Sequence, residues 1–291
     1  MKYARKIIPL SVFLLVMLLI ASNQTSWAKR AVPDDLIVHP VLITLLDNNK
    51  QSFGSGFYFK NTDNNIYLIT ASHVFFKKEQ NDKIKLRSKK ASLLSYPSDL
   101  NWSKPQKFEL NLENLHQEKS LQYDDVNDIA IVQMTQDGSH LVNGVKKLTD
   151  SEIVIVPLEH IKLYDEVLVG NDVYISGFPA SLGLKKQKQI DYNRPLLRKG
   201  IIAGKNDSKK TITIDCASYG GNSGGPVIEV EPIDERTHNI RVIGIITQFV
   251  PYAKKWINLQ DRLVNVEFEN SGYTVVVPMD PILELINKFS N

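Results

Sequence analysis

Gly221-Asn222-Ser223-Gly224-Gly225-Pro226 sets a serine between small, backbone-flexible residues, the surroundings a hydroxyl nucleophile needs in order to meet a carbonyl. Two upstream segments complete the chemistry. Thr70-Ala71-Ser72-His73 ends the apolar run Ile66 to Ile69, and Asn127-Asp128 opens the run Ile129 to Val132, so a histidine and a carboxylate each stand at the end of a predicted strand. Nucleophile, base and orienting anion are all present.

Each segment alone also has a plainer reading. A glycine-rich stretch around a serine is an ordinary turn, or the nucleophile elbow of an α/β-hydrolase; His73 is a hydrogen-bonded structural histidine, and Asp128 a strand-start or cap residue. Order along the chain separates these readings. An α/β-hydrolase runs serine, acid, histidine, whereas Ser223 is followed only by Asp234, Glu235 and His238 in one polar loop, with no βαβ alternation around them. Histidine, aspartate, serine is the order of the chymotrypsin-like double barrel.

The three segments together resemble the trypsin-like peptidase superfamily, in particular its disulfide-free bacterial branch, similar to the HtrA proteases and more distantly to the bacterial glutamyl endopeptidases. Further stretches carry the likeness: Gly54-Ser55-Gly56-Phe57, Gly177-Phe178-Pro179, Gly200-Ile201-Ile202-Ala203-Gly204, Asp215 eight residues before the serine, and Gly244-Ile245-Ile246 after it. The resemblance implies an all-β fold of two six-stranded antiparallel barrels. It also implies a serine endopeptidase without metal or cofactor, in which His73 is the base, Asp128 its orienting partner and Ser223 the nucleophile. Asp124 and Asp125 are rivals of Asp128 close in sequence, but Asp128 directly begins an apolar strand.

The oxyanion hole implied is the backbone amides of Gly221 and Ser223. One wall of the specificity pocket falls to Ala217, Ser218, Tyr219 and Gly220, and the opposite edge to Thr247, Gln248 and Phe249, whose backbone would pair with an extended substrate. No carboxylate at Ala217 disfavours Lys or Arg substrates, and Ile246, where glutamate-specific relatives carry a histidine, disfavours Glu. Small or medium apolar side chains remain. Asn222 stands where animal relatives have an aspartate that pairs with a freed amino terminus, so activation by such an ion pair is not expected.

Residues 1–28 read as an export signal: Lys2, Arg5 and Lys6 form a positive end, Ile7 to Ala21 an apolar core, and Ser26-Trp27-Ala28 a small-x-small cleavage site. A membrane anchor is the rival reading, but the apolar core is shorter than the roughly 20 residues that span a bilayer. The formal charge of +3 equals the three cations of that segment, so the chain from Lys29 is balanced. Lysine-rich stretches at residues 83–90 and 185–199 are not interleaved with aromatics as a single-strand nucleic-acid platform would be. The partners expected are protein or peptide substrates, without nucleic acid and without stable membrane insertion once the signal is cut.

A lone cysteine, Cys216, cannot form an internal disulfide, so stability must come from burial. It either backs the specificity pocket or is a small buried apolar residue. Residues 29–150 read as the first barrel, carrying His73 and Asp128, with a polar linker from Thr135 to about Glu159; residues 151–291 read as the second, carrying Ser223. The strands expected there include Ile240 to Thr247 and Tyr273 to Val277. Asp280 is a candidate cap and Pro281 a candidate first position of a short helix with Ile282, Leu285, Ile286 and Phe289 on one face. The PDZ domain usual in HtrA proteins is not expected after it. Two other functions fit the same residues: an inert double barrel that binds extended peptides, and an esterase using the same triad.

Overall fold

Where the sequence places its first turn, Asp47↔Lys50 closes an antiparallel hairpin of β1 (Pro40–Asp47) and β2 (Lys50–Lys60). The computed structural model describes residues 32–47, 50–136, 139–140, 153–180, 189–234, 237–258, 260 and 263–289. The expected export signal therefore lies outside the described residues. All of the architecture below belongs to the unit Asp34–Asn291.

β3 (Ile66–Ala71) is buried along its whole length, as a continuous apolar run should be in mid-sheet. It pairs with β2 on one side and, on the other, with the strand that follows Asp128. With β4 (Lys90–Ser95), β5 (Gln106–Asn111), β6 (Leu121–Asp124) and β7 (Ile129–Gln133) it forms a curled sheet in the order β5-β4-β1-β2-β3-β7-β6. An added strand, β8 (Ile155–Pro157), pairs in parallel with Tyr58–Lys60 of β2, past the end of β1 at Pro40↔Phe57. The first barrel is thus a curled eight-stranded sheet. Residues 155–157, assigned by sequence to the second half, complete the first.

The second barrel closes as six strands, in the order β9-β10-β11-β14-β13-β12. These are β9 (Asp172–Gly177), β10 (Leu196–Asn206), β11 (Thr211–Asp215), β12 (Pro226–Pro232), β13 (His238–Asn258) and β14 (Leu263–Pro278). Each half has its own apolar core, one around Val41, Tyr58, Leu68 and Phe75, the other around Val173, Ile214, Val227 and Val276. The all-β, chymotrypsin-like double barrel expected from the sequence is the fold observed.

Among the described residues, three α-helices accompany the strands: α1 (Ser72–Phe75), α2 (Leu112–Gln117) and α3 (Met279–Asn287). α3 appears where expected, but Asp280 does not cap it. Pro278 holds the cap position without a side-chain bond, and the Asp280 carboxylate accepts from Tyr164 N at 2.8 Å, tying the helix to the chain that enters the second barrel. Beyond the helix, the Phe289 ring lies 5.6 Å from that of Tyr67 on β3. The C-terminal segment therefore touches the first sheet as well as the second barrel.

Contact between the halves is close at Gly224. A Cβ there would collide with Thr70 Oγ1 and Ser55 O and stand 2.7 Å from Ala71 N, and φ is +82°. Gly224→Ala is expected to destabilise the protein by about 2–5 kcal/mol, from left-handed strain plus overpacking. Gly204→Ala, where a Cβ meets nothing within 4 Å, serves as the neutral control in urea unfolding.

Candidate active site

Two successive β-turns present Ser223. In the first, Asn222 N donates to Tyr219 O (2.9 Å) with Gly221 third at φ +103°; in the second, Gly225 N donates to Asn222 O (2.9 Å) with Gly224 third at φ +82°. A positive φ at the third position is the signature of a type II turn, which is why glycine recurs there. Ser223, second residue of the second turn, is half-buried. Asn222 is buried inside the loop, its Oδ1 accepting from Tyr219 N at 3.0 Å. Among the described residues, the N–H groups of Gly221 and Ser223 donate to no protein acceptor.

His73 is the second residue of α1, directly after β3. A four-residue helix cannot satisfy its own first amides, and Asp128 supplies the acceptors from the start of β7. Its backbone O accepts from Ser72 N (3.0 Å), its Oδ1 from His73 N (2.9 Å) and its Oδ2 from the His73 ring at Nδ1 (2.7 Å). One carboxylate thus holds both the backbone and the ring of the histidine. Asp128 sits at φ +55°, a left-handed conformation that aspartate tolerates better than most residues. The β3–β7 pairing, ending at Ala71↔Ile129, brings the two segments side by side.

The rival carboxylates do other work. Asp124 accepts from Val126 N, Asn127 N and Asn127 Nδ2 (2.9, 3.1 and 2.6 Å), closing the turn that leads to Asp128. Burial pushes its carboxyl up, but the hydrogen bonds from Asn127 and Val126 outweigh that and hold it below the usual range. Asp125 lines a surface depression together with His73, Asp128, Ile84 and Arg87.

Two residues that the sequence did not single out for a role support this geometry. Arg87, in the lysine-rich stretch 83–90, donates from Nε to the His73 and Phe76 carbonyls (2.8 and 3.1 Å) at the far end of α1. Ser55, fully buried in β2, joins the halves of the fold. Its N donates to Ser223 O (2.8 Å), its Oγ donates to Gly221 O (2.7 Å) and accepts from Phe178 N (3.0 Å), and its O accepts from Thr70 Oγ1 (2.7 Å). The motif Gly54-Ser55-Gly56 was the available signal.

Of the expected pocket residues, Ser218 and Thr247 are buried, Ala217 and Tyr219 half-buried, and Gly220, Gln248 and Phe249 exposed. Thr274, fully buried on β14 and given no role by the sequence reading, braces the 217–220 wall. Its Oγ1 lies 2.7 Å from Cys216 O and 2.9 Å from Ser218 Oγ. A hydroxyl has one proton, so Thr274 donates to Cys216 O and Ser218 donates to Thr274. Asn270 Nδ2 donates to Ser218 O (2.6 Å), and the Arg198 guanidinium lies 5.0 Å from the Tyr219 ring centre. Cys216 is buried, and burial pushes its thiol up to about 11. Its thiol is therefore no nucleophile at neutral pH. Among the described residues, no group of three His, Cys, Asp or Glu side chains could hold a metal ion, and no helix is long and apolar enough to cross a membrane.

A family model described as "Trypsin-like peptidase domain" matches residues 54–231. Among solved structures, the protease Anisep from Arthrobacter nicotinovorans is 15% identical with a TM-score of 0.51, the match covering 87% of this chain and 95% of that one. The HtrA-type protease AlgW with a tripeptide is 15% identical (TM-score 0.49), over 87% of this chain and 60% of its own length. The active form of the Rv3671c protease from M. tuberculosis is 16% identical (TM-score 0.46), over 92% and 85%. The chain spans about 60% of the length of AlgW. No curated protein sequence matches it.

Ser55→Ala removes a donor from Gly221 O and an acceptor from Phe178 N, both buried. A loss of about 2–6 kcal/mol is expected, from orphaning two buried backbone groups at about 1–3 kcal/mol each, measured as a lowered midpoint in urea unfolding.

Proposed function

We propose, for a chain that belongs to the trypsin-like peptidase family, that Ser223, His73 and Asp128 form the catalytic triad of an exported serine endopeptidase. The observation that carries this reading is the Asp128 carboxylate 2.7 Å from His73 Nδ1. With Nδ1 holding the proton, Nε2 keeps the lone pair that can take the proton of Ser223. The nucleophile loop lies against the same strand end. Gly224 packs on Thr70 and Ala71, three and two residues before His73, and Ser223 O is bonded to Ser55 N.

In this mechanism His73 takes the Ser223 Oγ proton as the oxygen attacks the scissile carbonyl. The negative charge that develops is met by the unengaged amides of Gly221 and Ser223, donors that typically contribute a factor of roughly 100 to 1000 each. Asp128 stabilises the imidazolium, which passes its proton to the leaving amine. Water, deprotonated by the same imidazole, then releases the acyl group.

Cleavage after small or medium apolar residues is the specificity this reading favours. The hydroxyls of Ser218 and Thr274 are spent on each other and on Cys216 O, and Ile246 is packed in the barrel core at 1% exposure. The pocket wall of residues 217–220 carries no charged side chain. Export follows from residues 1–28, to a periplasm or outside the cell.

A fluorophosphonate should label the wild-type protein and fail to label Ser223→Ala; labelling of the variant would refute the assignment of the nucleophile. An inert peptide-binding barrel would give no label in either. Asp128→Asn should lower kcat by about ten-thousandfold while leaving the fold intact, as removal of the tautomer-fixing carboxylate does in such triads. Casein and peptide-library cleavage, set beside hydrolysis of a simple ester, separates a peptidase from an esterase.

A further inference from the structure

β13 runs out of the barrel. From His238 to Val242 it pairs with β12, and at Gly244 and Ile245 with both β12 and β14, but beyond Ile245 it pairs, among the described residues, with β14 alone. The last bonds on its other edge are Ile246 N to Gly225 O (3.0 Å) and Gly224 N to Ile246 O (2.7 Å), made by the residues directly after Ser223. From Thr247 onward that edge has no strand partner among the described residues, and the strand continues as a two-stranded ribbon through Pro251↔Asn270 to Asn258↔Leu263. Residues 247–257 alone span roughly 36 Å at about 3.3 Å per residue.

Strand alternation sorts the ribbon into two faces. Tyr252, Lys254 and Trp256 share one with Glu269, Glu267 and Asn265, and polar contacts lace it: Lys254 Nζ to Glu269 Oε1 at 2.6 Å, Trp256 Nε1 to Glu267 Oε2 at 3.2 Å. The other pairs Ala253 with Phe268, Lys255 with Val266 and Ile257 with Val264. Ile257, Val264, Val266 and Phe268 are 57, 56, 46 and 70% exposed. A hairpin that leaves such residues bare is marginal by itself and marks an interaction surface.

We propose that this ribbon is an extension of the substrate cleft, binding the part of a polypeptide N-terminal to the scissile bond when that part is extended and apolar. The inference rests on Ser223 being the nucleophile. A substrate pairing antiparallel with the open edge of β13, its scissile carbonyl at Ser223, runs N-terminally past Thr247, Gln248 and Phe249 and along the ribbon. Main-chain bonds to the edge supply affinity, and alternate side chains reach the bare apolar face. A second copy of the chain fits this surface poorly. Two-fold edge pairing centred on the middle of the ribbon would set the like-charged Lys254 or Lys255 side chains of the two copies against each other.

The test compares peptides on the full chain. A short fluorogenic peptide, chosen as the best cleaved of a library, is extended at its amino end by eight residues, either alternating Val and Thr or alternating Gly and Ser. The Val/Thr extension should raise kcat/KM by roughly tenfold over Gly/Ser. The double variant Val266→Ser/Phe268→Ser should abolish that gain while leaving cleavage of the unextended peptide and fluorophosphonate labelling unchanged. The single variant Phe268→Ser, at the most exposed of these positions, should reduce the gain and guards against misfolding, monitored by circular dichroism. Equal rates for both extensions in the wild type, or a variant that slows short and long peptides alike, would overturn the proposal. So would a dimer in sedimentation that the double variant dissociates without any effect of peptide length. If the wild type neither cleaves nor labels, the assignment of Ser223 fails instead, and fluorescence anisotropy of the labelled Val/Thr peptide still reads the ribbon.

Discussion

Ser55 is the residue on which the two halves of the site depend. Each barrel has its own apolar core, and burial stabilises each without fixing its position against the other, because apolar attraction is non-directional. Hydrogen bonds at the seam provide the direction. All three polar groups of Ser55 are engaged, two of them across the seam to Ser223, Gly221 and Phe178, and the third within the first sheet to Thr70. Thr70 lies three residues before His73, so the serine loop and the histidine helix are referenced to one buried residue.

Local order in the site was legible because it follows from local chemistry. Glycines around Ser223 announced a turn, and Gly221 and Gly224 each hold the positive φ of a type II turn. Asp128 at the head of an apolar run announced a carboxylate at a strand end, and β-pairing placed it beside the end of β3. What could not be read was partnership over distance. Ser55 and Gly221 are 166 residues apart, Thr274 and Cys216 58, and hydrophobic periodicity carries no information on such pairs. Asp280 shows the same limit from the other side. Its sequence context is that of a cap, yet a tertiary donor, Tyr164 N, takes the carboxylate.

The ends of β13 and β14 were missed for a different reason. Strand prediction rests on an apolar face turned to a core, and the reading ended at Thr247 and resumed at Tyr273, where the barrel core ends and begins. Between them the strands continue with no core to cover. Polar residues there, Lys254, Glu267 and Glu269, pair across the ribbon, while the apolar ones face solvent. A period-two pattern persists, but nothing in the chain itself explains which side is inside.

That distinction bears on how the fold divides its tasks. Buried hydrogen bonds of Ser55 and Thr70 flank the segments that carry His73 and Ser223, members with Asp128 of the proposed triad, in which misplacement of a reacting group by about 1 Å costs roughly a hundredfold in rate. The Asp128 carboxylate positions the histidine by gripping its main chain and its ring together, so that any movement of the ring relative to α1 breaks one of two bonds. Beyond Thr247 no such demand exists. In the proposed cleft, a ribbon that makes contact mainly through backbone groups and a bare apolar face accepts many sequences, and the precision that the proposed chemistry needs is left to the seam.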